Sequence, residues 1–298
     1  MAVGPHDSGK TRSGERSRSV EVVRVGDEPG RSDADRVATE EPLEIRLGYD
    51  FRGRPAEKSL SVTMRTPGDD RELAVGFLHG EGMIEGADDV EEIERVEPES
   101  DEKPPEGGNI VRVQLAEHVE VDIASLQRHF YTTSSCGVCG KASIEALEVE
   151  NCTVLEPGDF EMSARVVGRL PERLRKAQRV FEETGGLHAA GLFDKKGRLV
   201  DLREDVGRHN AMDKLVGARL LDGELPLAHS VVVWSGRASF ELVQKAVVAQ
   251  VPIVVAVGAP SGLAVDLADR FGVTLVGFAR GGRFNVYTHP ERIEIDDT

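Results

Sequence analysis

An α/β fold is what the sequence predicts: a three-layer domain with a sheet between helices, preceded by a smaller α+β part. Three observations carry this. Over roughly the last hundred residues an extended apolar run, a glycine-bearing junction and an amphipathic helix recur. They do so in LREDVGRHNAMDKLVG, SVVVWSGRASFELVQKAV and VPIVVAVGAPSGLAVDLADRFG. Nearer the start, LEIRLGY and SLSVTMRT alternate apolar and polar residues around the turn-like DFRGRPAEK, the pattern of an antiparallel strand pair. Finally, 298 residues with 39% hydrophobic side chains give enough length and apolar surface for about two domains.

Taken in order, residues 1–40 are rich in Gly, Ser, Arg, Asp and Glu and read as a mostly disordered extension, with only SVEVVRV to bury. GPHDSGKT matches a phosphate-loop pattern there, but no strand precedes it and no helix follows, so it reads as chance. The α+β part spans 41–130: the two strands, a helix over DDRELAVGFLHGEGMI with its acidic start, and a strand at NIVRVQL. Between the last two, ADDVEEIERVEPESDEKPPEGG reads as a solvated helix or variable loop.

The α/β domain is assigned to 131–298 and opens on TTSSCGVCGK. Helical spacing follows in KASIEALEV and in the longer SARVVGRLPERLRKAQRVFEETGG, where Pro171 is a break or a new first turn. LHAAGLFD and RLVDLRED flank DKKG as a hairpin, and the chain ends with strand VTLVGFA, loop RGGR and strand FNVYTH.

Acidic side chains outnumber basic ones 53 to 37, a formal charge of −16, which repels nucleic acid and anionic membranes over the surface as a whole. No window approaches a membrane span and the first residues lack a signal-like apolar core, so a soluble cytoplasmic protein is expected. Three cysteines, Cys136, Cys139 and Cys152, are too few and too odd in number for a disulfide framework.

Candidate chemistry falls at two places. Gly207, Gly236 and Gly262 mark strand-to-helix junctions, with Ser235 and Ser261 as expected N-caps, so several helix starts on one sheet edge offer backbone N–H groups to an anion. Arg208 and Arg237 follow two of these glycines, and Arg280 and Arg283 bracket Gly281 and Gly282. In so acidic a chain that placement points to a phosphate-bearing ligand; the alternative is that these arginines are solvated or paired with Glu204 and Asp205. His209 and His188 are the nearby histidines, and His209, beginning a helix beside a glycine, is the better candidate. The second place is Cys136-x-x-Cys139, where a following helix N-terminus would lower the Cys136 pKa and the glycines leave the thiols uncrowded. Half a zinc site with Cys152 and a histidine, a dithiol redox pair and a group-carrying thiol all remain open on these residues.

SSCGVCG, GGLHAAGLFD, EDVGRHNAMDKLVG, SGRASFELVQKA and GFARGGRFNVYTHPERI, in this order, closely resemble the formate dehydrogenase accessory sulfur-carrier family, FdhD. The resemblance covers about residues 42–293. It implies a sulfurtransferase that accepts sulfur from a cysteine desulfurase as a persulfide and passes it to the molybdenum bis(molybdopterin guanine dinucleotide) cofactor, bound as substrate, before that enters formate dehydrogenase. By motif, Cys136 would carry the persulfide and Cys139 would be a second thiol, while Phe278, Ala279, Arg280, Gly281, Gly282 and Arg283 would contact the cofactor. The resemblance further implies a cytidine-deaminase-like fold for the larger domain, a homodimer, and no permanently bound metal. The deaminase zinc signature is missing, since C-x-x-C comes first and the second residue after His209 is Ala211. A zinc-binding cofactor chaperone without sulfur transfer is the alternative.

Overall fold

The structure, a computed structural model, describes residues 14–26, 30–97, 109–119, 153–156 and 160–295. The helix expected over 141–149 and the phosphate-loop look-alike at 4–11 lie outside them.

Where a disordered extension was expected, β1 (Ser17–Arg24) and β2 (Arg31–Ala38) form an antiparallel hairpin. Composition underrates this segment because the two strands satisfy each other's backbone and are anchored by ion pairs to distant residues. Val20 and Val22 alternate with polar residues, Arg24 pairs with Asp33 across the hairpin at 2.8 Å, and Arg36 reaches Glu183 at 3.2 Å. Arg16, just before β1, is ion-paired to Asp69.

β3 (Glu41–Asp50) and β4 (Pro55–Arg65) are the expected antiparallel pair, followed by α1 (Asp70–Gly80). The acidic stretch contributes β5 (Val90–Val96) rather than a loop or helix, antiparallel to β6 (Ile110–Leu115). Its glutamates occupy only the outer positions: Ile93 is buried in the core, and Glu94 is neutralised by Arg112 of β6. The sheet order is β4-β3-β6-β5, with β3 and β6 parallel. Leu43, Ile45, Leu47 and Val113 pack on Leu73 and Leu78 of α1. Each such side chain contributes about 1.5–3 kcal/mol through burial.

The long helix expected over 163–186 is β7 (Met162–Ser163) and three short helices, α2 (Ala164–Val167), α3 (Leu170–Ala177) and α4 (Arg179–Thr184). Three residues cut it. A Cβ on Gly168 would stand 2.9 Å from the Gly282 carbonyl oxygen, Pro171 occupies the first turn of α3, and Gln178 leaves helical dihedrals at φ −73°, ψ 88°.

Next come β8 (His188–Phe193) and β9 (Leu199–Asp205), the expected hairpin, and α5 (Arg208–Leu221). Strand and helix then alternate through β10 (Val231–Trp234), α6 (Phe240–Val248), β11 (Ile253–Ala256), α7 (Gly262–Arg270) and β12 (Thr274–Arg280). β13 (Arg283–Val286) turns back on β12, and β14 (Ile293–Glu294) pairs with β7. The six strands run in the order β13-β12-β11-β10-β8-β9, with β10, β11 and β12 parallel. Val232, Trp234, Val254 and Ala256 face α5, α6 and α7, whereas Val231, Val233, Ile253 and Val255 face α2 and α3. Both faces are covered, which is why these strands read as unbroken apolar runs.

The two sheets meet where α1 crosses α5. A Cβ on Gly76 would lie 1.9 Å from the Asp213 carbonyl oxygen, and one on Gly217 the same distance from that of Glu72, so only glycine permits this backbone-to-backbone crossing. Beside it the fully buried Lys214 ammonium pairs with Asp205 at 2.8 Å and donates to the Thr66 carbonyl, also at 2.8 Å. Asp205 further accepts from the Thr66 N–H at 3.0 Å and the Gly207 N–H at 2.8 Å. Removing either member of such a buried pair costs about 3–5 kcal/mol.

Candidate functional site

Because β10, β11 and β12 are parallel, their carboxyl ends share one edge of the sheet, the place where open α/β sheets hold ligands. A pocket of about 620 Å³ lies there. Its sheet side is Ser235, Val257, Ala279, Arg280 and Gly281; the opposite wall comes from α3, α4 and the start of β8, including Arg175, Lys176, Gln178, Phe181 and His188.

Arg280 and Arg283 stand directly opposite each other across β12 and β13, joined by Gly281 and Gly282 at φ 57° and 75°. The left-handed turn explains the two glycines. Two like charges in cross-strand register repel, an arrangement that an anion between them would relieve. Phe278 sits in the β12 bulge at φ 53°, its N–H bonded to the Gly258 carbonyl at 3.0 Å and its ring 45% exposed. That left-handed backbone costs about 1–3 kcal/mol for a bulky residue, and such outliers gather at functional sites.

The alternative of arginines neutralised by Glu204 and Asp205 is not what the structure holds. Glu204 accepts from the N–H groups of Val180 and Phe181 at 3.1 and 2.9 Å, while Asp205 is committed to Lys214. The guanidiniums of Arg208, Arg237, Arg280 and Arg283 make no hydrogen bond or ion pair with another described residue.

The junctions divide. Ser261 is the N-cap of α7, its Oγ accepting from the Ala264 N–H at 3.2 Å, and Gly262 opens that helix; neither lines the pocket. Ser235 is not an N-cap: Ser239 precedes α6, and the Ser235 Oγ accepts instead from the Ala189 N–H at 2.8 Å, pinning β8 to the end of β10. The reason is a bend at residues 235–236 and the isolated β-bridge of Ala238 to Pro260, which delay the helix. Gly236 leaves room for His188, whose Nδ1 would be 3.3 Å from an added Cβ, and the Arg237 side chain packs over Gly258. Gly207 precedes α5 with extended backbone.

The two histidines line different pockets. His188 lines the large pocket, and burial together with the Arg208 charge lowers its pKa, so it is neutral near pH 7. His209 faces a separate pocket of about 260 Å³ with Asp213, Glu241 and Lys245, because the first turn of α5 points it toward Ser239 at 3.2 Å. Burial and Arg208 push its pKa down to about 4. In that pocket Lys245 pairs with Asp213 at 2.8 Å; burial raises the Asp213 carboxyl to about 6 despite the ammonium.

The helical wall with Gln178 and Phe181 was missed from sequence. The signal was available in Pro171 and the Gly185–Gly186 pair, which interrupt what reads as one amphipathic helix. Cys136, Cys139 and Cys152 lie outside the described residues. Among the described residues, no group of three or more His, Cys, Asp or Glu side chains is arranged to hold a metal ion, and no helix is long and apolar enough to cross a membrane.

Comparison with known proteins places this geometry. Residues 38–294 match the model of the FdhD/NarQ family. A relative from Streptomyces avermitilis, named sulfur carrier protein FdhD, is 49% identical over 278 residues, covering 92% of this chain and 94% of its own. One of the same name from Sulfurisphaera tokodaii is 42% identical over 276 residues, covering 93% and 98%. The crystal structure of a candidate formate dehydrogenase accessory protein from Desulfotalea psychrophila superposes with a TM-score of 0.69 at 28% identity, covering 94% of this chain and all of that one. With a family match over most of its length and relatives at 42% and 49% identity, the chain belongs to the FdhD/NarQ family.

Proposed function

We propose that the protein is a cytoplasmic sulfur carrier for formate dehydrogenase maturation, a sulfurtransferase acting on the molybdenum bis(molybdopterin guanine dinucleotide) cofactor. Cys136 accepts sulfur from a cysteine desulfurase as a persulfide and passes it to the cofactor; Cys139 is the second thiol. The cofactor is a bound substrate, and the working form is a homodimer with a cytidine-deaminase-like larger domain. The relatives' name, sulfur carrier protein FdhD, supports the role.

One observation carries the cofactor side of this reading. Arg208, Arg237, Arg280 and Arg283 are left without carboxylate partners among the described residues of a chain with charge −16. Guanidiniums at the strand ends that are not tied up by carboxylates are open to an anion, and a dinucleotide cofactor brings pyrophosphates. The large pocket, at about 620 Å³, is in the range that holds a nucleotide. A thiolate is the form that attacks and carries sulfur.

The test is activation of formate dehydrogenase in cells whose own accessory protein has been deleted. The wild-type chain restores formate oxidation and Cys136→Ala does not; full restoration by the variant would remove Cys136 from the mechanism.

A further inference from the structure

We propose that Gln178 and Glu172 read the base of a guanine nucleotide in the large pocket, an inference that rests on the pocket being the nucleotide site. Gln178 is 3% exposed, lines the pocket, and its side-chain Nε2 has no hydrogen-bond partner among the described residues. A buried amide left unpaired costs about 1–3 kcal/mol, so such a group is expected to meet a ligand. Its backbone is fixed: the Gln178 carbonyl accepts from the Glu182 N–H at 3.1 Å, and Glu204 holds the N–H groups of Val180 and Phe181. A rigid mount is what a recognition residue requires.

Glu172, on α3 of the same wall, is the one carboxylate lining the pocket among the described residues. Although Arg175 and Lys176 follow three and four positions later, Glu172 makes no ion pair or hydrogen bond with a described residue. Its acceptor oxygens are therefore available. On the same wall the Arg175 guanidinium stacks 4.4 Å from the Phe181 ring centroid, and both residues line the pocket, offering a flat surface against which a base can lie.

The donor and acceptor order then selects the base. Guanine presents O6 as acceptor and N1–H and N2–H₂ as donors, which an amide N–H and a carboxylate complement. Adenine reverses this edge, turning a lone pair toward the carboxylate and an amine toward the amide donor. The phosphates extend the other way, to Arg280 and Gly281 at the strand ends. A site built to hydrogen-bond an edge rejects the analogue that lacks it far more strongly than an apolar slot does.

Calorimetric titration of the full chain with GDP, IDP and ADP tests this. The wild type is expected to prefer GDP over ADP by tenfold or more, with IDP, which lacks the 2-amino group, between them. Glu172→Gln, an exposed position that does not threaten folding, should reduce the GDP-to-ADP ratio at least tenfold. Gln178→Leu, checked for native circular dichroism, should weaken GDP at least tenfold. Equal wild-type affinities for GDP and ADP, or an unchanged ratio in Glu172→Gln, would overturn the assignment of the base-reading residues while leaving the nucleotide site intact. Binding of none of the three would overturn the nucleotide site itself.

Discussion

Replacing Arg280 by alanine separates an anion-binding arginine from a structural one. The guanidinium has no partner among the described residues and stands opposite Arg283 in cross-strand register. Truncation therefore breaks no hydrogen bond or ion pair among the described residues and removes a like-charge repulsion, so stability should change by less than about 0.5 kcal/mol. A hydrogen bond to a charged group contributes about 1.5–3 kcal/mol, so GDP affinity should fall roughly ten- to 150-fold. The loss should shrink as salt is raised, because the site opens to solvent. Titration calorimetry at low and high salt, beside urea denaturation of the same samples, reads both quantities. A stability loss above about 2 kcal/mol with unchanged GDP affinity would refute the reasoning, since it would mean that Arg280 supports the fold.

Two further outcomes follow from the packing and the histidines. Gly217→Ala puts a methyl 1.9 Å from the Glu72 carbonyl oxygen, forcing α1 and α5 apart by about 1.5 Å. Overpacking of this kind costs about 1–3 kcal/mol or more, and calorimetry should show a melting temperature several degrees lower. Gly262→Ala, which meets open space at a helix start, should leave it within a degree or two; equal melting temperatures for the two variants would contradict the crossing. For His209 the folded pKa of about 4 lies below the unfolded value near 6.5, so its contribution to stability is complete above about 6.5 and is lost as pH falls through 4. The full shift corresponds to about 3 kcal/mol, reduced by solvent screening of a 38% exposed ring to about 1 kcal/mol. Between pH 7.5 and 4.5 the wild type should therefore lose about 1 kcal/mol more than His209→Gln in urea denaturation, and equal losses would rule out an imidazole held neutral by its surroundings. Asp213, raised to about 6, works in the opposite sense, losing its contribution as pH rises through 6, and is common to both proteins.

The regular parts of the fold were legible because local pattern and tertiary role agree. The β8–β9 hairpin follows from DKKG, and the parallel core follows from short apolar runs ending in small residues. Legibility failed where a segment's partner is distant or its own mirror. β1 and β2 look too polar to fold until paired with each other, and β5 hides behind glutamates, one of which, Glu94, is paired with Arg112 of β6. The site was legible in the same measure. Arg280, Gly281 and Ser235 meet in one pocket as their junction positions implied, yet the helix break that brings in Gln178 and Phe181 depends on Gly168 meeting Gly282, a contact between residues 114 positions apart. Spacing alone could not rank His188 above His209, because the direction of each ring is set by which strand end or helix turn carries it.

The most direct test of sulfur carriage is peptide mass spectrometry of the full chain after incubation with a cysteine desulfurase and cysteine. The peptide containing residues 132–141 should gain the mass of one sulfur atom, localised to Cys136, reversible by reductant and absent from Cys136→Ala. Unmodified wild-type peptide under conditions where the desulfurase turns over, or sulfur loaded to the same extent on Cys136→Ala, would contradict the account.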